Sequence, residues 1–276
     1  MEVIAHIPVM LDESIRLLSP GPSKQILDCT FGRGGHSKAL LQFGATVTSL
    51  DRDMAAFRVG QALAATSKRF TINWYRFSEM MLCRQKYNGI LFDFGISSDQ
   101  LLDDSIGISF RHDAPLNMSL GRSNKSAYSI INDMSEDVIA DVVYKYGEER
   151  YARVIAKSIV KRRKQKRFTT TIELADHIRQ TIPRGKIDAA TRTFQAIRIY
   201  VNNELEEIEL GLLNAIKLAK PGGIVVAISF HSLEDRIVKH TFRRFKHRSD
   251  VILPSRDEIR TNPRSRSAKL RWMRVS

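Results

Sequence analysis

The sequence predicts an α/β protein: a parallel sheet with helices on both faces, interrupted after its fourth strand by a helical insertion. Three observations predict it. Short apolar runs bounded by turn residues alternate with helix-like segments through roughly the first hundred positions. That rhythm stops after "DFGISSDQLLDD", and from Ser105 to Ala190 the chain is polar and helix-like. A strand then resumes in "IVVAISFHS". The domains expected are a discontinuous sheet domain, 1–104 with 191–276, and an inserted helical domain, 105–190.

In chain order, "QILDCT", "ATVTSLD", "FTINWY" and "GILFDFG" read as strands, with "HSKALLQF", "DMAAFRVGQALAAT" and "SEMMLCRQ" as the helices between them. Asp53 is placed to N-cap the second of these helices. In the insertion, "SEDVIADVVYKYG" and "TTIELADHIRQTI" are the clearer helices; the second starts at Thr171–Glu173 and ends at Pro183-Arg184-Gly185. Phe194, Ile197, Val201, Leu205, Ile208, Leu212 and Ile216 step by threes and fours, which predicts one long helix stopped by Pro221-Gly222-Gly223. No internal repeat is visible.

Composition narrows the function. Of 276 residues, 43% are hydrophobic and 27% charged, which is globular composition. Cys29 and Cys83 have neither metal-like spacing nor the pattern of a disulfide framework, so no metal is expected and a reducing cytoplasm is the expected setting. "MEVIAHIPVM" has no signal-peptide character, and no apolar run approaches the ~20 residues of a membrane span. The net charge is +14, clustered in "KSIVKRRKQKRF" and in the C-terminal "NPRSRSAKLRWMRV". Clustering of this kind favours a polyanion footprint over an evenly solvated surface.

The loops after the strands carry the chemistry. In "LDCTFGRGGHS", Asp28 ends a strand, Gly32, Gly34 and Gly35 make a turn, and a helix follows. Glycines let a ligand approach the backbone, and the helix start offers unpaired N–H groups. The pattern suits a nucleotide-like cofactor, yet it is neither G-x-G-x-x-G nor a P-loop. Asp51, ending the second strand, can accept both hydroxyls of a ribose; NAD and S-adenosylmethionine satisfy it equally. Phe77, after the third strand, can flank an adenine or make a plain hydrophobic contact. Asp93 ends the fourth strand, ahead of Gly95, Ser97, Ser98 and Gln100. It can bind a cofactor ammonium, accept a proton from a substrate amine, or cap the next turn. Hydride transfer would call for a His or Lys acid/base in this stretch of the sequence, and the stretch contains none. Methyl transfer from a sulfonium needs mainly alignment.

These loops, with "HIPVMLDES", "GEERYARVIAKSIV", "RTFQAIRIYVNNELEEIE" and "SFHSLEDRIVK", resemble the RsmH (MraW) family of S-adenosylmethionine-dependent methyltransferases acting on the N4 amine of a cytidine in small-subunit ribosomal RNA. The resemblance runs from His6 to "NPRSRSAKLR". It implies a Rossmann-like class I methyltransferase sheet, with S-adenosylmethionine contacts at Gly34, Gly35, His36, Asp51, Phe77, Asp93 and Gln100. It implies N4-methylcytidine at a decoding-centre (P-site) cytidine of 16S rRNA as product. The chemistry of the residues themselves makes Asp93 the candidate catalytic acceptor for the amine hydrogens, with Ser97, Ser98 or the loop "SFRHDAPLNM" as further acceptors. His36 is read as a cofactor contact at the helix start. "SFHSLEDR" is read as a helix start, not as a Ser/His/Asp nucleophilic set.

Two departures stand out. Where the family shows "DGPLDMRM", this chain has Asp113-Ala114-Pro115-Leu116-Asn117-Met118-Ser119, a loop expected to border the base pocket. The region before "NPRSRSAKLR" is also shortened. Lys161, Arg162, Arg163, Lys164, Lys166 and Arg167 in the insertion, with Arg264, Arg266 and Lys269 in the tail, are the expected RNA grips; Arg271 either joins them or flanks a last strand. The expected partner is 16S rRNA within the small ribosomal subunit, with no membrane, and a homodimer is left open. Two other classes compete: a methyltransferase of DNA cytosine or a protein amide, and an assembly factor without turnover.

Overall fold

A computed structural model describes residues 7–97, 100–101, 103–121, 125–246 and 250–276. The chain divides into two compact units, Met1–Gly95 with Leu205–Ser276, and Ile96–Glu204.

The first unit is built on a seven-stranded sheet of order β3-β2-β1-β4-β5-β7-β6. Its strands are β1 (Gln25–Asp28), β2 (Thr46–Leu50), β3 (Phe70–Asn73), β4 (Tyr87–Asp93), β5 (Ala219–Ser229), β6 (Val251–Ile252) and β7 (Lys269–Arg274). β1 to β5 pair in parallel, and β7 is antiparallel to both β5 and β6. The central strands are apolar on both faces: Ile26, Leu27, Ile90, Leu91, Phe92, Val225 and Val226 are all fully buried. That is what a parallel sheet covered on both sides demands. The helices of this unit that precede the second unit are α1 (Leu11–Leu18), α2 (Gly35–Gln42) and α3 (Met54–Thr66). Asp53 caps α3 as expected, its carboxylate accepting from Ala55 N at 2.8 Å. The expected helix "SEMMLCRQ" is instead a 3₁₀ segment, Phe77–Cys83. Arg84 closes it in the left-handed region (φ 52°), so the segment ends before a full α-helical run develops.

The second unit packs α4 (Ala127–Asp133), α5 (Glu136–Gly147), α6 (Ala152–Arg163), α7 (Thr171–Thr181) and α8 (Thr191–Asn202) around one apolar core. Ile131, Val143, Ile155, Ile159, Phe168, Leu174, Ile178 and Ile197 are fully buried in it. The insertion expected at 105–190 is therefore drawn short at both ends: the unit runs from Ile96 to Glu204, and Phe194, Ile197 and Val201 of α8 belong to its core. The expected long helix is two helices. α8 stops where Asn203 turns left-handed (φ 49°), and α9 (Glu204–Leu218) starts anew. A periodicity of threes and fours runs unbroken through the break, so the pattern alone gives no sign of it. α10 (Ser232–Arg244) and α11 (Arg256–Thr261) complete the sheet unit.

Candidate active site at the strand ends

The glycine turn joins β1 to α2, and sterics require glycine at positions 34 and 35. Gly34 N-caps α2 at φ +75°, and a Cβ there would lie 2.6 Å from the Phe31 ring. A Cβ on Gly35 would meet Pro8 Cγ at 2.2 Å. The turn is closed by Gly34 N donating to Phe31 O (2.7 Å) and is tied to β2 by Gly32 N donating to Asp51 Oδ2 (2.8 Å). The other Asp51 oxygen accepts from Asp53 N (2.8 Å). Asp51 is half-buried, and burial raises its pKa against these two hydrogen bonds. Each oxygen keeps a lone pair, so the carboxylate can still receive ribose hydroxyls.

Behind the turn lies a buried polar chain that the sequence pattern does not single out. Asp28 Oδ2 accepts from Ser37 Oγ (2.6 Å), which also bonds Ser49 Oγ (2.8 Å). Asp28 Oδ1 accepts from Thr30 N (3.1 Å), and Thr30 Oγ1 accepts from Asp93 N (2.8 Å). Burial pushes the Asp28 carboxyl up to about 6, partly offset by Ser37 and Thr30. Thr30 thus fixes the backbone of Asp93 from the neighbouring strand. Its only sequence signal is a hydroxyl directly after an apolar strand.

Asp93 stands at the end of β4 with its side chain 20% exposed. Its Oδ1 is buried and has no hydrogen-bond partner among the described residues. Burial first, then the charges of Asp28 and Glu234, push its carboxyl well above the carboxylate range. His36, in the first turn of α2, is 5% exposed. Its Nε2 lies 3.1 Å from Val9 O, and its Nδ1 lies 3.9 Å from Asp93 Oδ2. Phe77 packs edge-on against Phe92 (5.7 Å between centroids) and tilted against Phe94 (5.9 Å), with part of its ring exposed.

Gly34, Gly35, His36, Asp51, Phe77 and Asp93 therefore all lie in the sheet unit, on the segments that follow β1, β2 and β3 and at the last residue of β4. Gln100 lies in the second unit, where its Oε1 accepts from Ser97 N (3.0 Å) and its N donates to Ser97 Oγ (3.2 Å). Ser98 lies outside the described residues, as does His6 at the start of the family-like stretch. "SFHSLEDR" forms the start of α10 as expected: Glu234 Oε2 accepts from Phe230 N (2.7 Å), and His231 is the N-cap.

The expected RNA grips divide into cations engaged within the fold and cations turned to solvent. Arg163 donates to Ile131 O (2.7 Å) and Met134 O (2.6 Å) around the end of α4. Arg162 stacks 4.0 Å over Phe168 and donates to Lys166 O. Lys166 pairs with Glu173 (2.9 Å) and Arg167 with Asp133 (3.0 Å). Lys161 and Lys164 are exposed and carry no ion pair among the described residues. In the tail, Arg264 and Arg266 are exposed on the 3₁₀ segment Pro263–Ser267, and Lys269 lies 3.6 Å from Asp235. Arg271 is not an RNA grip. It is buried on β7, with Nε donating to Asp235 Oδ1 at 2.6 Å.

The second unit also shows a basic–aromatic face that a charge count passes over. Lys125 Nζ lies 4.4 Å over the Tyr200 ring, Tyr200 lies 5.9 Å from Tyr146, and Lys145 lies 5.1 Å over Tyr146. Tyr144 is 67% exposed. The interleaving in "YKYG" is the available signal. The altered Asp113–Ser119 loop is pinned by its backbone: Leu116 N donates to Thr169 O (3.1 Å), and Tyr128 N donates to Leu116 O (2.7 Å). Ala114, Leu116 and Met118 are buried, so the loop's departure from the family falls on a well-anchored frame.

A sheet of this order, with only its seventh strand reversed and a glycine turn after β1, is that of the Rossmann-like class I methyltransferases, and the protein is a methyltransferase. The chain belongs to the MraW methylase family, whose model matches residues 3–276. Similar curated proteins include one from Rickettsia typhi, 44% identical over 296 aligned positions (96% of this chain, 97% of that one). Others are from Rhodospirillum centenum, 42% identical (96% and 91% covered), and Neorickettsia sennetsu, 42% identical (97% and 95% covered). All three are called ribosomal RNA small subunit methyltransferase H. Among solved structures, an rRNA methylase from Streptococcus thermophilus shares 8% identity at a TM-score of 0.47 (96% and 94% covered), a likeness that adds nothing to the sheet order.

The family implies S-adenosylmethionine as methyl donor, and the residues present fit it. The cradle at Gly34 and Gly35 leaves no room for a Cβ. A carboxylate with spare lone pairs ends the next strand, and Asp93 keeps a buried oxygen with no partner among the described residues.

Proposed function

We propose that the protein transfers a methyl group from S-adenosylmethionine to the N4 amine of a decoding-centre (P-site) cytidine in 16S rRNA of the small ribosomal subunit. Family membership, together with the shared name of relatives covering nearly the whole chain, supports the substrate. The observation that carries the chemistry is Asp93 Oδ1, a buried acceptor without a partner among the described residues.

Bound S-adenosylmethionine supplies an activated methyl on a sulfonium. In this reading the Gly34–Gly35 backbone and the start of α2 would receive its methionine end, Asp51 its ribose and Phe77 its adenine. The cytosine amine is a weak nucleophile because its lone pair is drawn into the ring. As its nitrogen bonds to the methyl carbon and the carbon–sulfur bond breaks, one N–H bond must also break. Asp93 accepts that proton, and its hydrogen bond to the amine strengthens as charge develops there. Thr30, holding Asp93 N, keeps the acceptor in register.

The second unit is proposed to recognise the RNA. Lys161 and Lys164 offer uncommitted charges for phosphates, and Arg264 and Arg266 add exposed guanidinium groups in the tail. Tyr144, Tyr146 and Tyr200 offer ring faces to unstacked bases. The target base must leave its stack for its amine to react.

The test is nucleoside mass mapping of 16S rRNA from cells with and without the gene, backed by methylation of purified small subunits. N4-methylcytidine that disappears with the gene and returns with the purified enzyme is the expected result. Its persistence in the knockout overturns the reading. Asp93→Asn should fold normally and lose about 100-fold or more in kcat; full activity in that variant removes Asp93 from the mechanism.

A further inference from the structure

We propose that His36 is a positioning residue for Asp93: its imidazole, fixed by the Val9 carbonyl, draws the pair's shared proton into the gap between His36 Nδ1 and Asp93 Oδ2, and so keeps Asp93 Oδ1 open as the acceptor. The inference rests on the proposed amine methylation and gives His36 a task beyond contact with the cofactor.

The Val9 carbonyl selects the tautomer. A carbonyl oxygen can only accept a hydrogen bond, so Val9 O at 3.1 Å from His36 Nε2 requires the proton on Nε2. In neutral His36 the Nδ1 atom then presents a lone pair, and that atom faces Asp93 Oδ2 at 3.9 Å. The segment bearing Val9 is itself tied down. Glu258 Oε1 accepts from Met10 N (2.7 Å), and Asn262 Nδ2 donates to Ile7 O (3.1 Å). Pro8 packs where a Cβ on Gly35 would be. The ring is thus oriented by a clamp formed between the two ends of the sheet unit's sequence.

A buried acid raises a difficulty for the mechanism, because a protonated carboxyl is a poor acceptor at the oxygen that carries its hydrogen. His36 resolves it. One proton in the gap gives either imidazolium with carboxylate or imidazole with carboxylic acid, and in both forms the proton lies on the Oδ2 side. Oδ1 stays unprotonated in either case. The separation is about 1 Å beyond hydrogen-bond contact, so the proton is shared after a small side-chain rotation that closes the gap. When the amine gives up its proton, the N–H bond breaks and an O–H bond forms at Oδ1 while the shared proton settles on His36 Nδ1, so the pair holds two protons in place of one, as imidazolium and carboxylic acid. The second leaves to solvent before the next turnover. The other charged groups felt by Asp93 are the carboxyls of Asp28 and Glu234, which disfavour a bare carboxylate and make a proton-sharing partner more effective.

The test starts with cofactor-free protein. Long-range 1H–15N spectra should show neutral His36 protonated at Nε2, and Asp93→Asn should lower the apparent pKa of His36 by about one unit or more, since the partner carboxylate is gone. A neutral His36 protonated at Nδ1, or a titration indifferent to Asp93→Asn, overturns the proposal. Kinetics supply the second arm. His36→Asn should lower kcat about tenfold or more, move the acidic limb of the pH–rate profile, and change the KM for S-adenosylmethionine far less. In the Asp93→Asn background, His36→Asn should cost almost nothing further. An effect confined to KM returns His36 to a plain cofactor contact. Should His36→Asn fail to fold, the spectra of Asp93→Asn still decide the matter. If wild-type enzyme makes a product other than N4-methylcytidine, the proposed substrate falls, whereas the spectra alone decide whether the two side chains share a proton.

Discussion

Asp28 is buried beneath the glycine turn with a carboxyl pushed up to about 6. Its folded-state pKa exceeds the 3.8 of an unperturbed carboxyl, so the folded chain binds the proton more tightly than the unfolded one. The sign follows. Its contribution to stability is complete below about pH 4 and is lost as pH rises through about 6, amounting to at most about 3 kcal/mol. Asp28→Asn can keep the network, since its amide oxygen can accept from Thr30 N while its NH2 donates to Ser37, which then donates to Ser49. Calorimetry of the cofactor-free protein from pH 4 to 8 should show the variant melting above wild type beyond pH 6, with the gain vanishing toward pH 4. A parallel pair of profiles would show that the Asp28 charge is not buried at a cost. At this scale the acids at strand ends are legible in sequence, because Asp51 and Asp93 each close an apolar run. Thr30 and the Val9 carbonyl are not: a hydroxyl and a backbone oxygen gain their roles from neighbours distant in sequence.

At the scale of elements, the start of α2 and the end of α8 give the sharper tests. Gly35→Ala places a methyl against Pro8, and overpacking of this kind costs about 1–3 kcal/mol. A lowered melting temperature is expected together with weaker S-adenosylmethionine binding by titration calorimetry, because the same backbone forms the cradle. Unchanged affinity in a folded Gly35→Ala variant would separate the turn from the cofactor. Asn203 ends α8 in the left-handed region, where a Cβ without a compensating polar group is unfavourable by about 1–2 kcal/mol. Asn203→Ala should therefore destabilise, and Asn203→Gly should lose much less, a difference read directly from denaturant midpoints. Equal losses would argue that the side-chain bond from Lys125 to Asn203 Oδ1, not the backbone, sets the break. Apolar spacing and turn residues place β1 to β4, α2, α3, α5, α7 and α10 close to their observed bounds. They do not show the 3₁₀ segment Phe77–Cys83 or the break at Asn203, because both depend on single left-handed residues that leave the spacing intact.

For the whole molecule, the charge of +14 is the property that tertiary structure reinterprets. In the run 161–167, Arg163 closes the end of α4 and Arg162 covers Phe168, while Lys161 and Lys164 remain uncommitted. Replacing Lys161 and Lys164 with Gln should weaken binding to a 16S rRNA fragment, with stability unchanged. The log–log salt slope should fall by about 0.7 for each phosphate no longer neutralised. Arg163→Gln should act in the opposite manner, lowering the melting temperature by removing two capping hydrogen bonds while leaving the salt slope nearly intact. Filter binding from low to moderate salt, beside thermal melts, distinguishes the two. A slope unmoved by the lysine pair would make that surface a solvated face.

The sequence by itself determined the parallel sheet, the helical insertion, the glycine turn and the acids that close β2 and β4. Those features are local, written in period, turn chemistry and residue type within a few positions. Only the tertiary structure decided which cations are engaged in the fold, where the second unit's core ends, and which atoms surround Asp93. Such facts depend on burial and on partners far apart in the chain: Thr30 after β1 reaching Asp93 on β4, or Asp235 on α10 neutralising Arg271 on β7. The free energy of a buried charge is set by those neighbours, and a linear sequence does not carry their distances.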